Sequence, residues 1–298
     1  MAKNLPTFHP LDGRRTVDYD YSPPPCTWDP FFLKKNLREG IRLIYATTDS
    51  ESAITRGPVV DGIKHLKTKL FADGADLDGI AAMAEKAYIG GFTTNPTLMR
   101  KAGVTDYRTF AHDALKLVGD RPISFEVFAD EFDDMERQAL EIASWAPNVN
   151  VKIPITNTKG ASSAELVGRL SKQGVTVNIT AMMTLDQVAQ IVEVVSPDTP
   201  SILSVFAGRI ADTGVDPVPH MKEAVSIAAA RPLAEILWAS PRELLNVFQA
   251  NDCGCHIITA TNDILAKLET GIGKDLAQFS LETVEMFHRD AAGAGYTI

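Results

Sequence analysis

Val149-Asn150-Val151-Lys152-Ile153-Pro154-Ile155-Thr156 lies near the middle of the 298-residue chain and alternates between aliphatic and other side chains. A period of two predicts a strand, with Val149, Val151, Ile153 and Ile155 on one face and Asn150, Lys152 and Pro154 on the other. The lysine therefore stands opposite an aliphatic row. On an edge strand such a lysine would point into water, and the stretch alone cannot separate that arrangement from a buried one. Its neighbours in the chain decide the matter.

From Lys67 onward, short apolar strands alternate with amphipathic helical stretches, a rhythm that predicts an α/β protein with a parallel sheet. The strands are read at Lys69–Asp73, Gly91–Asn95, Ile123–Phe128, Val149–Pro154, Val175–Thr180, Ser201–Phe206, Glu235–Ser240 and His256–Thr261. Helices are read between them at Leu77–Tyr88, Tyr107–Val118, Glu131–Trp145, Ala164–Lys172, Leu185–Val195, Pro219–Ala230 and Arg242–Ala250, with a long helical region at the C-terminus. Ser162 with Glu165, Thr184 with Gln187 and Ser240 with Glu243 have the spacing of capping boxes at three helix starts. Eight βα units within residues 67–298 predict a (β/α)8 TIM barrel, for which about 250 residues is typical. An open doubly wound sheet is the alternative; it lacks the glycine-rich turn expected after its first strand, where the chain reads Asp73-Gly74-Ala75-Asp76.

Barrel enzymes carry their reacting groups where strands run out into the βα loops. Seven strands place polar residues there. These are Asp73; Thr93 and Asn95; Ser124 and Glu126; Lys152; Thr176, Asn178 and Thr180; Ser204, beside Phe206; and Ser240. Because helices cover the outside of a closed barrel, the polar faces must converge within it, where each group needs a partner. Lys152 then belongs to an interior pocket.

A lysine drawn out of water can act as an amine nucleophile, and its natural chemistry is a Schiff base with a carbonyl substrate. The carboxylates Asp73 and Glu126 suit the proton transfers of imine formation and carbon–carbon cleavage. Asn95, Asn178, Thr180 and Ser204 offer neutral partners for a polyhydroxylated substrate. Arg209 and Arg242 reach the same rim, and Ser240-Pro241-Arg242-Glu243 predicts a helix start with free N–H groups, together a phosphate site.

Composition limits the other classes. The chain is 45% hydrophobic and 22% charged, enough for a substantial core, and its net charge of −9 argues against nucleic acid or anionic membrane as partners. Cys26, Cys253 and Cys255 make no disulfide framework, and no apolar run has the length of a membrane helix, so a cytoplasmic protein is expected. Cys253-Gly254-Cys255-His256 gives only three close ligands and runs into a strand, so buried thiols are expected there and no metal. Residues 1–66 differ from the rest. They hold the turn cluster Ser22-Pro23-Pro24-Pro25, the aromatics Trp28, Phe31 and Phe32, and one predicted helix opening at Asn36. They read as an N-terminal extension of unknown role, with 67–298 as the barrel and C-terminal helical region.

Six motifs resemble those of the transaldolases and the related fructose-6-phosphate aldolases, in family order. They are Phe92-Thr93-Thr94-Asn95-Pro96, Ser124-Phe125-Glu126-Val127, Val151-Lys152-Ile153-Pro154, Asn178-Ile179-Thr180, Ser204-Val205-Phe206-Ala207-Gly208-Arg209 and Ala239-Ser240-Pro241-Arg242. The resemblance implies that Lys152 is the Schiff-base lysine, that Asp73 is the acid/base at the C4 hydroxyl, and that Glu126 and Thr180 position a water. It further implies that Asn95, Asn178 and Ser204 surround the dihydroxyacetone portion, with Thr93 and Phe206 beside them. Arg209, Ser240 and Arg242 would hold phosphate. Glu126 and Phe206 match the transaldolase branch, where the aldolase branch tends to have Gln and Tyr. The implied activity is transfer of a dihydroxyacetone unit between sugar phosphates, in the pentose phosphate pathway, with no metal or organic cofactor. An aldolase that releases dihydroxyacetone and a noncatalytic sugar-phosphate-binding protein are the alternatives. Ala181-Met182-Met183 and Trp238-Ala239 depart from the commoner family wording, the first 66 residues have no counterpart, and formation of a homo-oligomer is left open.

Overall fold

The computed structural model describes residues 63–298; residues 1–62 of the predicted extension, with the helix opening at Asn36 and Cys26, lie outside the described residues. Eight parallel strands close into a barrel in sequence order. They are β1 (Lys69–Asp73), β2 (Ile89–Thr93), β3 (Ile123–Glu126), β4 (Val149–Pro154), β5 (Val177–Met182), β6 (Ser201–Val205), β7 (Ala234–Trp238) and β8 (Ile257–Thr261). The closed barrel replaces the alternative of an open sheet. Around it run α1 (Leu77–Ala84), α2 (Pro96–Lys101), α3 (Tyr107–Val118), α4 (Phe132–Ala143), α5 (Ala164–Lys172), α6 (Leu185–Val194), α7 (Ala207–Ala211), α8 (Pro217–Ala228), α9 (Leu245–Asp252) and α10 (Asn262–Thr270). A last helix, α11 (Leu276–Gly293), contains no buried residue. No helix among the described residues is long and apolar enough to cross a membrane.

The aliphatic row of β4 faces outward and supplies the layer between sheet and helices, where Val151 and Ile153 are fully buried with Leu166, Val167 and Leu170 of α5. Burying a side chain of that size stabilises the fold by roughly 1.5–3 kcal/mol. This layer, repeated around the ring, fixes which face of each strand turns inward.

The barrel interior is divided. Phe71, Ile202, Leu237, Ala239 and Ile257, from β1, β6, the β7 end and β8, form an apolar cluster with Phe206 against it. Phe71 fits because Gly91 on β2 has no side chain: a Cβ there would lie 2.5 Å from the ring. Strands β2 to β5 contribute the buried polar residues Thr93, Ser124, Asn150, Lys152, Asn178 and Thr180.

Several predicted boundaries change for identifiable reasons. Strand β2 stops at Thr93 because Asn95 turns to cap α2, its side chain accepting from Leu98 N. Thr184 and Gln187 form the expected capping box on α6, whereas α5 is preceded by Ser163, with no side-chain cap. Ser162 instead donates from Oγ to Gln190 Oε1 at 2.9 Å. Cys253 and Cys255 are buried free thiols, and His256 Nδ1 accepts from Ile236 N at 3.0 Å.

Candidate active site

The register of the sheet sets Glu126 beside Lys152 and Lys152 beside Asn178, so three adjacent inward-facing side chains share one level. Lys152 is only 7% exposed. Its Nζ donates to the Thr94 carbonyl at 2.8 Å and lies 3.4 Å from Glu126 Oε2. Beside it, Ser204 Oγ donates to Asn178 Oδ1 at 2.6 Å, and Asn178 Nδ2 donates to Ser124 Oγ at 3.1 Å. This chain of partners satisfies buried groups that would otherwise be costly.

Each residue of Thr93-Thr94-Asn95-Pro96 has a separate task. Thr93 Oγ1 donates to Asp73 Oδ1 at 2.8 Å and lies 2.5 Å from Thr259 Oγ1. Thr94 presents its carbonyl to Lys152 and anchors its hydroxyl on Ser124 O at 3.0 Å. Asn95 uses Oδ1 to cap α2, and that fixed orientation aims Nδ2 at Asp73 Oδ2, 3.3 Å away. Pro96 opens the helix. Burial raises the Asp73 carboxyl above its usual range, against the pull of the Lys152 charge and the bonds from Thr93 and Asn95.

The opposite rim is built by close contact between the loops after β6 and β7. A Cβ on Gly208 would stand 1.6 Å from the Ser240 carbonyl oxygen, so only glycine lets these loops meet. Ser240 itself holds φ at +58°, in the left-handed region. The predicted helix start at Ser240-Pro241-Arg242-Glu243 is not formed. Helix α9 begins at Leu245, and Asn246 Oδ1 accepts from the backbone N–H of Arg242 at 2.7 Å and of Glu243 at 3.1 Å. The left-handed turn at Ser240 and this Asn246 contact shape a loop, leaving those two N–H groups occupied. The Arg242 guanidinium bonds both carboxylate oxygens of Asp212 and holds that carboxyl below its usual range. We expect Gly208→Ala to force the loops apart and destabilise the protein by about 1–3 kcal/mol, the usual cost of overpacking, read from denaturant unfolding. An unchanged unfolding midpoint would contradict this contact.

Asp73, Thr93, Asn95, Glu126, Lys152, Asn178, Thr180, Ser204, Phe206, Arg209, Ser240 and Arg242 all line one cavity of about 510 Å³. A larger cavity of about 760 Å³ holds none of these twelve residues. It includes Lys69, paired with Glu235, and Asn150, all from the N-terminal halves of their strands. Chemistry and size therefore point to different cavities, and the smaller one holds Lys152, the carboxylates Asp73 and Glu126, and both arginines.

Residues 70–296 match the family described as Transaldolase/Fructose-6-phosphate aldolase. The chain belongs to this family. Its relatives include proteins named "Probable transaldolase" from Dehalococcoides mccartyi and Streptococcus agalactiae. The first is 31% identical over 218 residues, covering 71% of this chain and 97% of its own length. The second is 34% identical over 203 residues, covering 68% and 90%. A solved structure from Coccidioides immitis, named for the dihydrodipicolinate synthase family, matches with a TM-score of 0.52 at 13% identity, over 78% of this chain and 80% of that one. That likeness concerns the fold alone.

In this transaldolase/aldolase barrel, sequence reasoning missed three contributors to the site. Thr259 on β8 reaches Thr93 and lines the cavity. Its signal was the alternation of Ile257, Thr259 and Thr261 with Ile258 and Ala260. Lys101, on the face of α2 that also presents Thr97 and Leu98 to the cavity, carried no strand-end signal. Tyr107 lies on α3, yet its hydroxyl bonds the Glu126 backbone.

Proposed function

We propose that the protein is a transaldolase, moving a dihydroxyacetone unit from a ketose phosphate such as fructose 6-phosphate to an aldose phosphate. The observation that carries this reading is Lys152 Nζ, buried beside the Glu126 carboxylate in a cavity that also holds Asp73. The amine attacks the C2 carbonyl, and the carbinolamine loses water to give an imine. Glu126 and Thr180 hold that water and carry its proton. Asp73 then takes the proton of the C4 hydroxyl, and the C3–C4 bonding electrons move into the imine. An aldose phosphate departs and a three-carbon enamine stays on Lys152. The enamine carbon attacks the aldehyde of the acceptor, Asp73 returns its proton to the new hydroxyl, and water releases the product ketose.

Asn95, Asn178 and Ser204, with Thr93 and Phe206 beside them, surround the transferred unit, and Arg209, Ser240 and Arg242 bind phosphate. Two guanidinium groups lining one rim support that assignment. The chemistry requires neither metal nor organic cofactor. We assign this activity to pentose phosphate metabolism in the cytoplasm, with residues 67–298 as the catalytic barrel and 1–66 as an extension of unassigned role.

Product analysis tests the reading. Supplied with fructose 6-phosphate and erythrose 4-phosphate, the protein should form glyceraldehyde 3-phosphate and a seven-carbon ketose phosphate. With the donor alone, turnover should stop after the bound unit has formed, as ping-pong transfer requires. Continuous release of free dihydroxyacetone would identify an aldolase instead.

A further inference from the structure

Strand β3 ends at Glu126 without its β2 neighbour. The β2–β3 pairing covers only Phe92 with Ile123 and Thr93 with Ser124, and the last backbone bond between the two segments runs from Thr94 N to Ser124 O at 3.2 Å. Beyond it the chain after β2 turns away, because Asn95 caps α2. Along a strand, successive residues direct their N–H and C=O to opposite sides. Ser124 directs its carbonyl to the β2 side, and Val127 N donates to Lys152 O on the β4 side at 3.1 Å. Glu126, two residues after Ser124, turns both backbone groups toward the missing strand. Two part-buried backbone groups without partners would be costly there.

One side chain satisfies both. Glu126 N donates to the Tyr107 hydroxyl at 2.8 Å, and the hydroxyl donates back to Glu126 O at 3.1 Å. Burial pushes the phenol above its usual range, so it keeps its proton and can accept and donate at once. The ring is fixed from three directions, with centroids 6.1 Å from Phe125, 4.6 Å from Phe128 and 5.6 Å from Trp145. Its place in the chain is fixed as well. Tyr107 is the first residue of α3, which Asp106 caps by accepting from Thr109 N at 3.0 Å.

We infer that Tyr107 is a positioning residue for Glu126, its hydroxyl replacing the absent β2 backbone and thereby setting where the Glu126 carboxylate stands relative to Lys152. This inference rests on the proposed role of Glu126 in imine formation. Tyr107 touches no reacting atom; it acts through the strand end. Mid-strand residues need no such brace, since their neighbours supply it. Glu126 needs one because the β2 residue that would pair with it has been given to the α2 cap and the Asp73 contact.

The test is a double-mutant cycle on the full chain, with the rate of borohydride-trapped imine formation from fructose 6-phosphate as readout. Tyr107→Phe keeps the ring and its packing. It should slow imine formation about tenfold with little change in KM, a modest displacement of a catalytic group. In a Glu126→Gln background the same change should cost less than about twofold, because the two residues act as one unit. Equal losses in both backgrounds would mean a structural role and overturn the assignment. If Glu126→Gln slows trapping and Tyr107→Phe does not, this assignment alone fails. If Glu126→Gln leaves trapping unchanged, the proposed role of Glu126 fails and this assignment with it.

Discussion

Lys152→Met is expected to abolish transfer, lowering kcat/KM by on the order of 10⁴-fold or more, because it removes the amine to which the covalent step is assigned. Methionine keeps most of the side-chain volume and removes the amine. Its structural consequences are separable from its chemical ones. The Thr94 carbonyl would lose its 2.8 Å donor and Glu126 its 3.4 Å cation, so a lowered melting temperature should accompany the loss. Cooperative unfolding should persist, since the aliphatic layer outside β4 is untouched and Val151 and Ile153 stay buried. Fructose 6-phosphate should still bind through the arginine rim. Retention of more than about a hundredth of the wild-type rate in a folded Lys152→Met protein would exclude a Schiff base at this position, given the size of effect expected for a covalent nucleophile.

Asp73→Asn should have the second largest effect, and a different one. Loss of an acid/base group typically costs about 10²- to 10⁴-fold, and here the loss should fall on C3–C4 cleavage. Imine formation precedes that step, so borohydride should still trap the donor sugar on the variant. The two aspects of the site are thereby distinguished: Lys152→Met removes the trapped species, while Asp73→Asn lets it accumulate. Stability offers an independent check. Burial raises the folded-state carboxyl above the 3.8 of a free aspartate. As pH rises from that value toward the folded pKa, the unfolded chain has already released its proton while the folded protein keeps it. The folded state then binds more protons, so this group's contribution to stability is full at low pH and falls across that window. Asp73→Asn has no such proton to release. Denaturant unfolding across acidic to neutral pH should therefore show a shallower decline in the variant than in wild type; an identical profile would contradict a desolvated Asp73.

Much of the site was legible because the chemistry coincides with strand periodicity. Lys152, Asn178 and Ser204 alternate with aliphatic residues that must face helices, so their inward direction follows from the period of two. Asp73 and Glu126 were readable for the same reason, as polar ends of apolar strands. What escaped was set by the folded geometry. Ser240-Pro241-Arg242-Glu243 has the composition of a helix start, yet a left-handed Ser240 pressed against Gly208 and an Asn246 side chain turn it into a loop. Asn95 reads as a strand residue, but the following proline and the cap of α2 end β2 two residues earlier. Tyr107 reads as an ordinary helix residue, because its partner is a backbone 19 positions away whose need arises only when β2 ends early. Local patterns thus reported which side chains face inward; contacts between loops and strand ends appear only in three dimensions.

Borohydride reduction in the presence of fructose 6-phosphate, followed by peptide mapping, reports whether Lys152 carries the Schiff base. A stable sugar adduct is expected on the peptide carrying Lys152, absent without substrate and absent from Lys152→Met. Substrate that binds without leaving an adduct, or an adduct on a different lysine, would contradict it.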